Sequence, residues 1–251
     1  MSEVLALSGV SAGYGEAVVL SGIDLILRKG EALAVLGRNG VGKTTLLNTI
    51  VGVTRHRGGT IALSGRDVTR LRPEQRAEAG IGWVPQERNI FRSLTVEENM
   101  TAVARPGAWT VERVYELFPR LKERRQNLGN QLSGGEQQML AVGRALVLNP
   151  TVMLLDEPTE GLAPIIIEEL LAAIRRVLRD EGMSAIIVEQ HAQKILGITD
   201  HAIVLERGAI VHAAASRDLK EDAAALEHHL GVAAKKARPQ RTEAGASDGR
   251  A

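Results

Sequence analysis

One stretch of eight residues constrains this chain more than any other: Gly37-Arg38-Asn39-Gly40-Val41-Gly42-Lys43-Thr44. It fits the pattern G-x-x-x-x-G-K-[ST], whose meaning depends on setting. The five residues before it, ALAVL at 32–36, are apolar throughout and too short for a helix, so they read as a buried strand. Residues 43–51 read as a helix. A strand, a glycine loop and a helix N-terminus in succession gather unpaired backbone N–H groups, and the helix adds partial positive charge. Gly37, Gly40 and Gly42 permit the backbone turns that aim those amides inward around phosphate oxygens. Lys43 has the reach for β- and γ-phosphates, and the Thr44 hydroxyl suits Mg2+. Asn39 and Thr45, in and beside the loop, complete the expected contacts to ATP. A loop of this kind requires an α/β core around it.

The rest of the chain agrees. Residues 4–10 alternate loosely as a strand, 11–15 read as a glycine-containing turn, and 22–27 form another apolar run before a turn at Lys29-Gly30. Short apolar runs at 60–63, 81–84, 152–155, 185–188 and 202–205 suit central strands covered on both faces. Aromatic residues make up only 2%, so the core must be built from Leu, Ile, Val and Ala. That scarcity also disfavours binding single-stranded nucleic acid by base stacking. A formal net charge of +1 creates no global field toward DNA, RNA or anionic lipid. The absence of cysteine excludes disulfides, thiolate zinc sites and a cysteine nucleophile. No basic N-terminal region precedes an apolar stretch, so no signal peptide is expected, and no run approaches the roughly 20 apolar residues of a membrane span. Work at a membrane would need another chain to hold this one there.

The strand at 152–155 ends in Asp156-Glu157. The C-terminal end of a strand in a parallel sheet faces the ligand crevice. Asp156 is therefore expected to hold Mg2+, through water, and Glu157 to polarise a water in line with the γ-phosphate. Between residues 87 and 150 the pattern changes: 95–104, 111–117 and 135–148 read as helices with no strand between them. Thr95 is the expected N-cap of the first, with Glu97 and Glu98 in its first turn. Residues 1–231 are expected to form one nucleotide-binding domain with a helical part at about 88–150. Residues 232–251, rich in Ala, Lys, Arg, Pro and Gly without periodicity, read as a disordered tail.

Leu132-Ser133-Gly134-Gly135-Glu136 precedes the last of these helices and makes a second helix N-terminus suited to phosphate. One ATP needs only one such loop. If two chains pair head to tail, the second motif of each closes over the ATP of the other.

GRNGVGKT, Gln86 in VPQ, LSGGEQQ, VMLLDEPT and His191 occur in that order, and together they resemble the nucleotide-binding subunit of an ABC transporter over roughly residues 4–230. LSGGE is the most specific element. The resemblance implies a P-loop NTPase cassette of the α/β class, with a RecA-like core, an N-terminal antiparallel β-subdomain and a helical insertion. It implies that Tyr14 stacks on adenine, and that Gln86 contacts Mg2+ and the attacking water and couples to membrane subunits. Ser133, Gly134 and Gly135 would grip the γ-phosphate held by a partner chain, and His191 would bond the γ-phosphate and help Glu157 orient water. Many such cassettes follow DEPT with S-G-L-D; here Glu160-Gly161-Leu162-Ala163 stands instead, so Ala163 replaces the aspartate that crosses to the partner.

EGLAP, with residues 86–91 and 94–99, resembles the ATP-binding subunits of branched-chain amino-acid importers, and those of urea and short-amide importers share much of this wording. The implied partners are a second ATPase chain (self or unlike), two membrane permease subunits and, indirectly, a periplasmic solute-binding protein. The implied place is the cytoplasmic face of the cell membrane, without nucleic acid. Phe91, between Arg88 and Arg92, is a candidate contact for a permease helix. Exporter ATPases made as separate subunits, and soluble ABC ATPases of repair or translation, are the competing readings. Against the soluble class, the interval from Lys43 to Ser133 holds no heptad array and the chain carries a single cassette.

Overall fold

The computed structural model describes residues 2–230; the segment expected to be a tail, 232–251, lies outside the described residues. The chain runs β1 (Glu3–Tyr14), β2 (Ala17–Arg28), β3 (Ala32–Leu36), α1 (Lys43–Val51), β4 (Arg55–Leu63), β5 (Arg66–Asp67), α2 (Pro73–Ala79) and β6 (Ile81–Val84). Four helices follow: α3 (Val96–Thr101), α4 (Val111–Leu117), α5 (Pro119–Glu123) and α6 (Gly134–Leu146). The remainder is β7 (Val152–Asp156), α7 (Pro164–Arg179), β8 (Ser184–Val188), α8 (Ala192–Ile195), β9 (His201–Glu206), β10 (Ala209–Ala215), α9 (Ser216–Glu221) and α10 (Ala223–Leu230).

Two sheets form. The central one has the order β10-β9-β3-β8-β7-β6, parallel except for the antiparallel edge strand β10. β3, β7 and β8 are buried at every position, as their apolar runs require, and burial extends to Asp156 at the end of β7 and Ser184 at the start of β8. The second sheet, β2-β1-β4-β5, is antiparallel. One apolar core lies between the two sheets around α1 and includes Leu5, Leu20, Leu46, Ile50, Ile61 and Val188. The other covers the opposite face of the central sheet and extends without interruption into the helices between β6 and β7, through Met100, Phe118, Met139 and Leu140.

The helix at 43–51 and the strand at 81–84 have the bounds read from sequence. Thr95 caps α3 by accepting from Glu98 N–H, with the Glu98 carboxylate returned to Thr95 N–H. Residues 11–15 are expected to turn, and 11–14 do not. β1 continues through them to Tyr14, and the turn is confined to Gly15 and Glu16. β1 is flanked by β2 and β4, so both its backbone edges are paired, and register shifts along it absorb the irregularity that the glycines signal. α7 was not read from sequence although its buried face, Leu170, Ala173, Ile174, Val177 and Leu178, has helical spacing.

Candidate functional site

The loop 37–44 joins β3 to α1 under the C-terminal ends of the parallel strands. Gly42 has φ 112°, and a Cβ there would stand 3.0 Å from Leu20 Cδ2. Gly37 has φ 150°, and a Cβ would stand 2.6 Å from the Leu205 carbonyl oxygen. Gly37 therefore excludes a side chain on both steric and conformational grounds, and Gly42 on its backbone conformation. Lys43 is buried, 5% exposed, and its Nζ donates to the carbonyls of Gly37 (3.0 Å) and Arg38 (3.2 Å). The ammonium thus folds back over its own loop, 3.5 Å from Glu157 Oε1. A hollow of about 280 Å³ opens here, lined among others by Asn39, Lys43, Thr44, Gln86, Glu157 and Glu160.

Thr44 Oγ1 donates to Asp156 Oδ1 at 3.2 Å. Asp156 is 1% exposed, and burial pushes its carboxyl up to about 6; the Thr44 bond and the Lys43 charge oppose that rise, and the Glu157 charge adds to it. A hydroxyl and a carboxylate converging at a polar hollow form an oxygen donor set suited to a hard divalent cation that keeps part of its water shell. The residues present therefore fit Mg2+.

Glu157 adopts φ 44°, in the left-handed region that a non-glycine residue enters at a cost of about 1–3 kcal/mol. Its N–H donates to the Val188 carbonyl at 3.0 Å, and its own carbonyl accepts from Glu160 N–H at 3.1 Å. Gln86 Nε2 donates to Glu160 Oε2 at 2.5 Å, tying the segment after β6 to the segment after β7. A second hollow of about 200 Å³ adjoins, lined by Glu157, Glu160, Glu189, Gln190 and His191 among others. His191 is exposed, and its neighbour Gln190 presents an amide to the same hollow.

The structure thus gathers Asn39, Gly40, Gly42, Lys43, Thr44, Thr45, Gln86 and Glu157 around one hollow, with Asp156 behind Thr44 and His191 next door. Tyr14 is 45% exposed at the end of β1, and its OH accepts from Asn48 Nδ2 of α1 at 2.8 Å. Ser133, Gly134 and Gly135 do not line this hollow. They begin α6, where Ser133 Oγ accepts from Glu136 N–H and Glu136 Oε2 accepts from Ser133 N–H. Sequence reading missed the roles in this geometry of Glu160, Glu189 and Arg88. Arg88 Nε donates to Gln138 Oε1 at 3.0 Å, and its guanidinium lies across the start of α6, 3.2 Å from where a Cβ on Gly134 would stand.

The sequence pattern of the ABC transporter family matches residues 20–160, more than half of the chain. This chain belongs to the ABC transporter family. The cassette is 42% identical over 216 residues to the high-affinity branched-chain amino acid transport ATP-binding protein BraG of Pseudomonas aeruginosa, covering 83% of this chain and 91% of that one. It is 33% identical over 237 residues to the lipopolysaccharide export system ATP-binding protein LptB of Acidithiobacillus ferridurans, covering 92% and 98%. Among solved structures, the ADP conformation of MJ1267, an ATP-binding cassette of an ABC transporter, superposes with a TM-score of 0.76 at 24% identity over 90% of this chain and 98% of that one. The ABC cassette is accordingly a nucleotide-binding ATPase of α/β architecture with an antiparallel sheet and helices set against the central sheet. No helix among the described residues is long and apolar enough to cross a membrane.

Proposed function

We propose that this cassette is the ATP-hydrolysing subunit of an importer for branched-chain amino acids. The observation that carries this reading is the 42% identity to BraG over 83% of this chain and 91% of that one. The export reading draws on the 33% identity to LptB.

Loop amides at residues 37–44 bind the β- and γ-phosphates, and Lys43 exchanges the carbonyls of Gly37 and Arg38 for phosphate oxygens. Tyr14, held by Asn48, offers its ring to adenine. Thr44, Asp156 and Gln86 would hold Mg2+, which would neutralise charge on the phosphate oxygens. Glu157 accepts a proton from the attacking water, and His191, with Gln190 beside it, contacts the γ-phosphate. Ser133, Gly134 and Gly135 sit on a separate element and serve the ATP of a partner cassette, like or unlike.

The unit extends over residues 1–231, with the helical part at about 88–150. It works against two permease subunits on the cytoplasmic face of the cell membrane, supplied from outside by a solute-binding protein, with no nucleic acid involved. Two measurements test this reading. Cells lacking the gene are assayed for uptake of labelled leucine and labelled urea, and membrane subunits that purify with the tagged cassette are identified. Loss of leucine uptake with urea uptake intact is expected. Unchanged leucine, isoleucine and valine uptake, with no redundant system, removes the solute assignment, and copurified exporter subunits reverse the direction.

A further inference from the structure

The left-handed conformation of Glu157 persists only if its surroundings over-determine it. Its backbone bonds to Val188 and Glu160 are two restraints. A third acts two residues on, at Thr159, which is 1% exposed. Thr159 Oγ1 donates to Oε1 of Glu189, itself 2% exposed. Glu189 Oε2 accepts from the N–H groups of Gln190 (3.0 Å) and His191 (3.2 Å), which lead into α8. Lys194 Nζ, from α8, donates to Thr159 Oγ1 at 3.2 Å. Glu189 N–H in turn donates to the Val35 carbonyl of β3 at 3.2 Å, on the strand that leads into the phosphate loop. One buried carboxylate therefore joins the loop carrying Glu157 to the loop carrying His191.

We propose that Glu189 is a positioning residue for ATP hydrolysis. Through Thr159 it holds Glu157 in its strained conformation facing the phosphate hollow, and through two backbone N–H groups it sets His191 beside it. The side chain is an acceptor on both oxygens, which explains a carboxylate here. An amide that keeps its oxygen on the two N–H groups turns its NH2 toward Thr159 Oγ1, so the hydroxyl, which already accepts from Lys194, loses the carboxylate it donates to and the clamp between the two loops is weakened. Geometry at the reacting water is affected more than the nucleotide-binding loop, because Lys43 and Thr44 make no bond to Thr159 or the Glu189 side chain and Lys43 meets the clamp only through its 3.5 Å pair with Glu157.

This inference rests on the assignment of Glu157 as base, and the experiment separates the two. Four variants are compared for ATP turnover and for affinity toward a fluorescent ATP analogue: Glu157→Gln, Glu189→Gln, Thr159→Val and Thr159→Ser. We expect kcat to fall at least 10-fold in Glu189→Gln and Thr159→Val, with analogue affinity and KM within about threefold of the parent. Thr159→Ser, which restores the hydroxyl, is expected to keep more than half the parent rate. Thr159→Val is isosteric, so it reports even if Glu189→Gln does not fold. Loss of hydrolysis in Glu157→Gln together with normal kcat in both Thr159→Val and Glu189→Gln overturns the positioning role alone. Normal hydrolysis in Glu157→Gln overturns the base assignment itself. Equal loss of affinity and turnover in Thr159→Val, unrescued by serine, marks the clamp as merely structural and also overturns the proposal.

Discussion

Replacing Asp156 with Asn removes a charge that the fold accommodates at a cost. Asp156 is 1% exposed and its carboxyl is pushed up to about 6, with burial as the leading cause. Its ordinary value, 3.8, applies in the unfolded chain. A rise of roughly two pH units corresponds to about 3 kcal/mol. Because the folded-state value lies above the unfolded one, this group contributes stability fully below about pH 4 and loses that contribution as pH climbs through about 6. Above pH 6 the nucleotide-free protein carries the whole penalty of a buried carboxylate. Asn carries none at any pH, and its amide oxygen still accepts from Thr44. Asp156→Asn is therefore expected to stabilise the nucleotide-free protein by up to about 3 kcal/mol at pH 7.5 relative to its effect at pH 4. At roughly 2–4 °C per kcal/mol for a chain of this size, that is a Tm increase of up to about 6–12 °C at pH 7.5 that shrinks as the pH falls toward 4. Thermal unfolding in EDTA, with no nucleotide, at several pH values between 4 and 8 measures it. The same variant should lose most of the additional stabilisation that Mg2+ with ATP gives the parent. A Tm difference independent of pH, or a loss of stability at pH 7.5, refutes the reasoning.

Lys43→Ala should lose ATP binding at least tenfold by equilibrium dialysis. Glu157→Gln should bind ATP normally, hydrolyse it at least 100-fold more slowly and, by light scattering with ATP, accumulate paired cassettes. Phe91 is 43% exposed with the Arg144 guanidinium 4.6 Å above its ring, so Phe91→Ala should leave ATP affinity unchanged and reduce recovery of the cassette with its membranes. Phe118 is fully buried in the core beneath α4–α6, so Phe118→Ala should cost about 3–5 kcal/mol in urea unfolding.

Local chemistry carried much of this fold. The strand at 32–36, the glycine loop and the helix at 43–51 were legible because apolar continuity, φ-permissive glycines and a helix start are all properties of adjacent residues. The acid pair at the end of β7 was legible for the same reason, as was the Thr95–Glu98 cap, since the residues of each pair lie within a few positions of one another. α7 is equally legible in its spacing, because its buried positions repeat along one helical face.

What pairing and packing at long range determine was not legible. β1 runs straight through residues 11–14 because neighbours on both sides satisfy its backbone, and neither neighbour is visible from within that segment. Glu157 is marked by its place beside Asp156 after an apolar run, whereas nothing adjacent distinguishes the places of Glu160 and Glu189 in the site. The tertiary structure separates them: Glu157 is turned into the left-handed region above Lys43, Glu160 accepts from Gln86 across the site, and Glu189 is buried against Thr159. The sequence by itself determined which residue types stand at the ends of the parallel strands. Only the register of β3, β7 and β8 decided which of them meet, because a side chain's partners are set by the strands beside it and not by the residues before and after it.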